Sequence, residues 1–477
     1  MKLFEIQSIT LFNILQFIFS FAVFAETVAH AQTVGERVFV TTTSDTRIRD
    51  RVVGKVYGSS IYTVTHVEGN WLALRGVEGW LQSRFVLSLD EAIEQMSQRV
   101  GRNQTDAEAL ATRGMLFLEQ RDYAKAFHDL NAALQVNSKL AQAWNNRGLA
   151  LWGQGQPQLA IKDLEMAVSL APKFTDAYYN LGAIYYDGGN FAKAIEYYDK
   201  AIGLAPKNAQ YYLNRGSAKL EWGKTAEALA DYNRALEIDN RMAMAHLGRS
   251  NVYIMQENWK LARENADAAI KLDPKLAMAF NKRGWIHTSE GEHEKALEDL
   301  NLAISLDGTM VEAYNNRGVV RAKLNKFEDA IADFSKAIQL DSGNALATMN
   351  RGKSHFSLGN LAKANEDLSR AVEMSPELEQ ALNAYAWFLS TVSASEFQNA
   401  EKAIELAKQA CQLSQWKNAD LVDTLAAGYA AGGDFENAVK TQRDAISLAK
   451  TAEQRTKFGE RLKLYENQQA FHSDIGK

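Results

Sequence analysis

Cysteine is all but missing. Cys411 stands alone among 477 residues, so no internal disulfide can form and the chain must be held by packing. Cys411 adjoins Ala410 on a helix face and reads as buried filler. A surplus of either charge is also missing: 53 Lys and Arg face 58 Asp and Glu, for a net charge of -5. Without basic excess there is little to neutralise phosphates, which argues against nucleic acid as the main partner. No phosphate loop, nucleophile elbow or H-E-x-x-H occurs, and nothing pairs a nucleophile with a base. The chain is therefore expected to be neither an enzyme nor the carrier of a cofactor or metal. Past the first 31 residues, no apolar run is long enough to span a bilayer.

Those first residues have the form of a targeting segment. Lys2 gives a positive start, Ile9–Ala25 is apolar, and Ala29-His30-Ala31 matches an A-x-A cleavage site. Cleavage there gives a chain beginning at Gln32; cleavage after Ala25 and a retained anchor are the alternatives. Export to the periplasm or the extracellular space is expected, with no membrane span after cleavage.

Residues 35–88 are β-rich. Arg37–Thr41, Ser60–Thr65 and Trp71–Arg75 alternate in character and are bounded by turn residues such as Gly69-Asn70, Gly76 and Gly79. The run Val53-Gly54-Lys55-Val56-Tyr57-Gly58, then Gly69-Asn70-Trp71-Leu72 and Gly79-Trp80-Leu81, resembles a bacterial SH3-like domain. That resemblance implies a small barrel able to contact cell-envelope material or another protein. Trp71 is its candidate contact residue, while Trp80 is expected in the barrel core. Ser88-Leu-Asp-Glu91 is a capping box opening a helix through about Val100. Residues 89–106 thus form a linker and a cap for the chain beyond Asp106.

From Ala107 to Leu378 one pattern recurs eight times at a period of 34 residues, the mark of a helical repeat array. The eighth position is small: Gly114, Gly148, Gly182, Gly216, Ser250, Gly284, Gly318 and Gly352. Alanine holds the twentieth and twenty-seventh positions throughout. Positions 4, 8 and 11 share one helical face, and the small residues let two helices approach. Position 15 is mostly Gly or Asn, which tolerate the left-handed turn ending a helix; the units with Arg121 and Glu257 must strain there or turn differently. Four of the five prolines fall at position 32, where the second helix stops.

This spacing, W-x2-L-G-x2-Y followed by A, F/L, A and P, is similar to that of the tetratricopeptide repeat family, most closely in Ala141–Phe174 and Thr175–Asn208. The resemblance implies an all-α solenoid of helix hairpins behind the small β-barrel. Residues 379–448 supply two divergent units, with about five extra residues in Thr391–Phe397. Phe458, Leu462 and Tyr465 place a capping helix within residues 449–477, and His472–Lys477 read as disordered.

Three side-chain rows could carry function. Position 7 is Arg in seven of the eight units, and position 23 is Asp in six. Leu181 and Tyr197 depart together in one unit. These positions lie level on antiparallel helices, so a repeated ion pair, within or between units, is expected to be structural. Position 6 is Asn146, Asn180, Asn214, Asn316 and Asn350. An amide can both donate and accept, so this row either braces neighbouring helices or holds an extended peptide along the groove. By position it resembles the asparagine ladder of O-linked N-acetylglucosamine transferase, whose catalytic part has no counterpart here. In the middle units Met244, Met278 and Trp285 fall where the family's concave face implies an adaptable apolar contact. Position 5 carries no Lys in any of the eight units, so the carboxylate clamp of chaperone-binding relatives is absent. His246, His287, His293 and His355 occupy positions that are aromatic elsewhere and read as packing residues. The expected function is a scaffold holding a protein or peptide partner; the alternative is a self-associating envelope protein.

Overall fold

The computed structural model describes residues 34–48, 51–56, 60–75 and 77–473. The targeting segment and the residues after Ser473 lie outside them, as does part of the glycine-containing run around Val53. No helix among the described residues is long and apolar enough to cross a membrane. The chain divides into two compact units, Met1–Asn240 and Arg241–Lys477.

The first unit opens with a seven-stranded antiparallel sheet. Its strands are β1 (Arg37–Val40), β2 (Ser44–Ile48), β3 (Arg51–Val56), β4 (Ser60–Glu68), β5 (Trp71–Leu74), β6 (Trp80–Gln82) and β7 (Val86–Ser88), in the order β3-β2-β6-β5-β4-β1-β7. Alternation sends Val38, Val40, Val64, Leu72, Leu74 and Leu81 into one buried cluster. Trp71 pairs with Gln82 and Ala73 with Trp80 across β5 and β6. Because Leu72, Leu74 and Leu81 point inward, both tryptophans stand on the opposite face, half-buried. Trp80 is thus not the core residue that its sequence context suggests, since strand parity decides the face.

Ser88 then closes its capping box. Its hydroxyl accepts from the Glu91 N–H at 3.2 Å, and the Glu91 carboxylate accepts from the Ser88 N–H at 2.8 Å. The helix it starts, α1 (Leu89–Arg102), buries Ala92 and Met96 against Phe39 of the sheet and Ala109 and Leu116 of the next helix.

Helix hairpins come next, with great regularity. In the first unit they are α2 (Ala107–Glu119) with α3 (Tyr123–Val136), α4 (Ala141–Gly153) with α5 (Pro157–Leu170), α6 (Thr175–Asp187) with α7 (Phe191–Leu204), and α8 (Ala209–Glu221) with α9 (Thr225–Ile238). The second unit has α10 (Ala243–Met255) with α11 (Trp259–Leu272), α12 (Ala277–Ser289) with α13 (His293–Leu306), α14 (Val311–Lys323) with α15 (Phe327–Leu340), and α16 (Ala345–Ser357) with α17 (Leu361–Met374). It ends with α18 (Glu379–Thr391), α19 (Ala400–Leu413), α20 (Ala419–Ala431), α21 (Phe435–Leu448) and α22 (Ala452–Glu466). The connection 392–399 is longer than the three-residue turns elsewhere, where the sequence carries its extra residues. Within each unit the first helices of successive hairpins touch one another directly.

Small residues set the hairpin's closeness. A Cβ on Gly318 would lie 2.6 Å from Phe334, and one on Gly182 would lie 2.6 Å from Tyr198. The crowding partner sits at position 24, in the turn after the position-20 alanine. The unit with Ser250 at position 8 has Ala266 at position 24, and the Ser250 hydroxyl donates to the Ala262 carbonyl at 2.8 Å. Side-chain volume is therefore conserved across the contact. At position 15, Arg121 and Glu257 take φ of 60° and 55°. They make the same left-handed turn that glycine makes elsewhere, at some backbone strain.

Candidate functional site

The position-7 arginines are built into the frame. Arg147 donates from Nε and Nη2 to both oxygens of Asp163, at 2.7 and 2.9 Å, and from Nη1 to Asn131 of the preceding hairpin at 2.8 Å. Arg283 repeats this on Asp299 and Asp267, and Arg317 on Asp333 and Asn301. Arg113 reaches back to Ser97 of α1 at 3.2 Å, which joins the cap to the array in the same way. Each of these guanidinium groups therefore clamps its own hairpin and ties it to the helix before. Several also lie over an aromatic ring three residues earlier, as Arg147 does over Trp144 at 4.5 Å. In the unit lacking the pair, Tyr197 instead stacks on Tyr185 with ring centres 5.5 Å apart. Arg249, opposite Asn265, has a buried Nε with no hydrogen-bond partner.

The asparagine row is split between the units. In the first, Asn180 Nδ2 donates to Asn145 Oδ1 at 2.9 Å, and Asn214 Nδ2 donates to the Tyr179 hydroxyl at 2.8 Å. Asn146 accepts from Gln142 and Asn145. In the second, Asn316 Nδ2 donates to Asn281 Oδ1 at 2.9 Å and Asn350 Nδ2 to Asn315 Oδ1 at 3.0 Å. Position 6 thus reaches position 5 of the previous hairpin. Asn146 and Asn180 are buried, whereas Asn214, Asn316 and Asn350 are half-buried. Among the described residues, no side chain or N–H bonds to Asn316 Oδ1 or Asn350 Oδ1, so each keeps an acceptor.

Met244 and Met278 occupy the same position on the neighbouring helices α10 and α12 and are 40% and 41% exposed. Trp285, also on α12, is half-buried. These three and Asn316 and Asn350 all belong to the second unit.

Of the four histidines at otherwise aromatic positions, His246 and His287 make polar contacts, whereas Nδ1 of His293 and of His355 is buried without a hydrogen-bond partner among the described residues. His287 is buried, with Nδ1 2.7 Å from Glu292 and Nε2 3.8 Å from Asp299. His287, Glu290 and Glu292 bring their ligand atoms within 4.8 Å of one another, a spacing a metal could use. Arg263 already pairs with Glu290 at 2.6 Å and Lys295 with Glu292 at 3.1 Å, so both carboxylates have cationic partners. His355 is buried, and desolvation pushes its pKa down. Burial likewise pushes the Cys411 thiol up to about 12, which leaves it inert as a nucleophile.

Two features escaped the sequence. A strap after α22 folds back on α18: Phe471 lies 5.7 Å from the Trp387 ring and 5.4 Å from the Arg461 guanidinium. Ser473, expected in a disordered tail, donates from its N–H to the Thr391 carbonyl at 3.0 Å and shares a 2.8 Å hydroxyl contact with Thr391. Beside it opens a cavity of about 620 Å³ lined by α16, α18 and the start of α20, with Ser473 at its edge.

Repeated antiparallel hairpins with a small–bulky contact inside and an arginine tie between them define a helical-repeat protein. Residues 111–344 carry tetratricopeptide repeats: models of that family match residues 111–173, 145–209, 179–243, 213–275, 247–311 and 311–344. No curated protein matches the chain in sequence. Among solved structures, the chain is similar to the hetero-tetramer Cut9-Hcn1 of the APC/C at 14% identity and a TM-score of 0.53, covering 75% of this chain and 76% of that one. It is also similar to a tetratricopeptide repeat protein from Parabacteroides merdae at 20% identity and TM-score 0.46, covering 53% and 99%. YrrB, described as a tetratricopeptide repeat protein with an unusual peptide-binding site, matches at 28% identity and TM-score 0.31, covering 39% and 96%.

Proposed function

We propose that this chain is an exported scaffold that binds an extended peptide or partner protein along the first-helix face of its repeats. The observation that carries the reading is the pair of open acceptors, Asn316 Oδ1 and Asn350 Oδ1, one repeat apart. Each asparagine is oriented by one N–H given to its neighbour, which fixes its oxygen for a peptide N–H. One such bond is worth about 0.5–1.5 kcal/mol, so exposed Met244 and Met278 would add apolar contact. The SH3-like reading of the sheet, with Trp71 on its outer face, supplies a second contact to the cell envelope and raises avidity.

The test separates recognition from bracing. Asn316→Ala with Asn350→Ala removes both the open acceptors and the brace. Asn281→Ala with Asn315→Ala removes only the brace. Partner capture by the purified chain should fall in the first variant and largely survive in the second; equal loss in both would reduce the row to a structural role. Sequencing the N-terminus of the protein recovered from its host should begin at Gln32, and recovery of a Met1-bearing chain from the cytoplasmic fraction would remove the export reading.

A further inference from the structure

The cavity between α16, α18 and α20 is bordered by charges that do not find each other. Lys353 projects from α16 into this hollow. Solvent reaches the side chain, yet the surrounding walls hold its ammonium below the usual lysine pKa. Among the described residues no carboxylate pairs with it. Across the opening stand Glu379, whose carboxylate accepts from the Asn418 amide at 3.3 Å, and Asp420, which accepts from the Gln454 amide at 3.2 and 3.3 Å. Neither has a cationic partner among the described residues. Between these rims Asn383 offers an Oδ1 that is buried with no donor. Met349, Phe356, Trp387 and Leu421 supply apolar wall between polar side chains such as Gln380 and Asn418. Buried polar atoms normally find partners, and an amide oxygen without one is suited to a peptide N–H.

The adjoining strap illustrates what this face holds. It is an extended chain fixed by a main-chain hydrogen bond at Ser473 and an aromatic side chain on Trp387.

We propose that the cavity receives a partner's extended segment in which a large apolar side chain is flanked by an acidic residue on one side and a basic residue on the other. The acid pairs with Lys353, the base lies between Glu379 and Asp420, and a peptide N–H reaches Asn383 Oδ1. The charged rims thereby select both composition and direction. This inference rests on the scaffold reading but concerns a place distinct from the asparagine row.

The test uses the full chain and fluorescein-labelled, amidated peptides containing Glu-Leu-Gly-Lys or the reverse order, Lys-Gly-Leu-Glu, read by fluorescence anisotropy. One order should bind better than the other. Lys353→Gln and Asp420→Asn should each weaken it about tenfold, with unchanged far-UV circular dichroism, and a peptide with Ser for Leu should lose most binding. Absence of binding by either order up to about 1 mM, or binding unmoved by both substitutions, overturns the proposal. So does binding that emerges only when the chain is ended after Ser473, because residues 474–477 would then be the occupant. If the peptides fail while partner capture still depends on Asn316 and Asn350, the cavity proposal falls and the scaffold reading stands.

Discussion

Removing the Arg283 guanidinium should loosen two hairpins together. Arg283 makes two bonds to Asp299 and one to Asp267, all at 2.7 Å. The Asp299 side chain is 6% exposed and Asp267 50%, so the two bonds differ in weight. Breaking the exposed contact costs under about 1 kcal/mol. Stranding Asp299 is the larger effect, because the nearest nitrogen of His287, Nε2, is 3.8 Å away. A buried carboxylate deprived of its partner costs about 3–5 kcal/mol. Since Arg283 is 25% exposed and water can follow it, the low end applies, and Arg283→Met should cost about 3 kcal/mol. Replacing both partners, Arg283→Met with Asp299→Met, leaves no stranded charge and should recover about 2 kcal/mol of that loss. Repeat arrays do not unfold in one step, so the readout is native-state hydrogen exchange in α12 and α13. Their most protected amides should exchange roughly 100-fold faster in the single variant. A double variant as damaged as the single, or a single variant within about 0.5 kcal/mol of the parent, would refute the reasoning. The unit with Leu181 and Tyr197 has already replaced the pair with a ring stack, which is why the double replacement is expected to be tolerated.

Two further predictions rest on other contacts. Gly318→Ala places a methyl 2.6 Å from Phe334 and should cost about 1–3 kcal/mol in thermal unfolding; Phe334→Ala added to it should relieve the clash, while Ser250→Ala, facing Ala266, should cost less than Gly318→Ala. Burial raises the Asp176 carboxyl from 3.8 to about 6, against the opposing hydrogen bond from Tyr211. The folded chain therefore binds this proton more tightly than the unfolded chain. Its contribution is most favourable below pH 4 and is lost as pH rises to about 6. Asp176→Asn should then raise stability at pH 7.5 by up to about 3 kcal/mol, with a smaller gain at pH 4.5; an equal gain at both values would reject the assignment.

The hairpins are legible in the sequence because their signals are local. Period, cap, turn and apolar face all repeat within one unit, and Ser88 with Glu91 marks the start of α1. The contacts that escape sequence reading join one hairpin to another. The arginine partner sixteen residues back is Asn131, Asp199, Asp267, Asn301 or Ser335, and that chemical variety hides the row. The asparagine row is visible, but not that position 5 of the previous unit orients it. Trp80 is misplaced by its sequence context because its face depends on where β6 begins. Phe471 and Ser473 carry no repeat signature, so nothing in the sequence ties them to Trp387 and Thr391.

Apart from Arg249, each position-7 arginine reaches sixteen residues forward to its aspartate and sixteen back to the preceding helix. Excising one whole period, for example residues 277–310, would bring every surviving guanidinium to the same two stations it holds now. Evolution could therefore lengthen or shorten this array one hairpin at a time without redesigning a single tie, provided the cut respects the period.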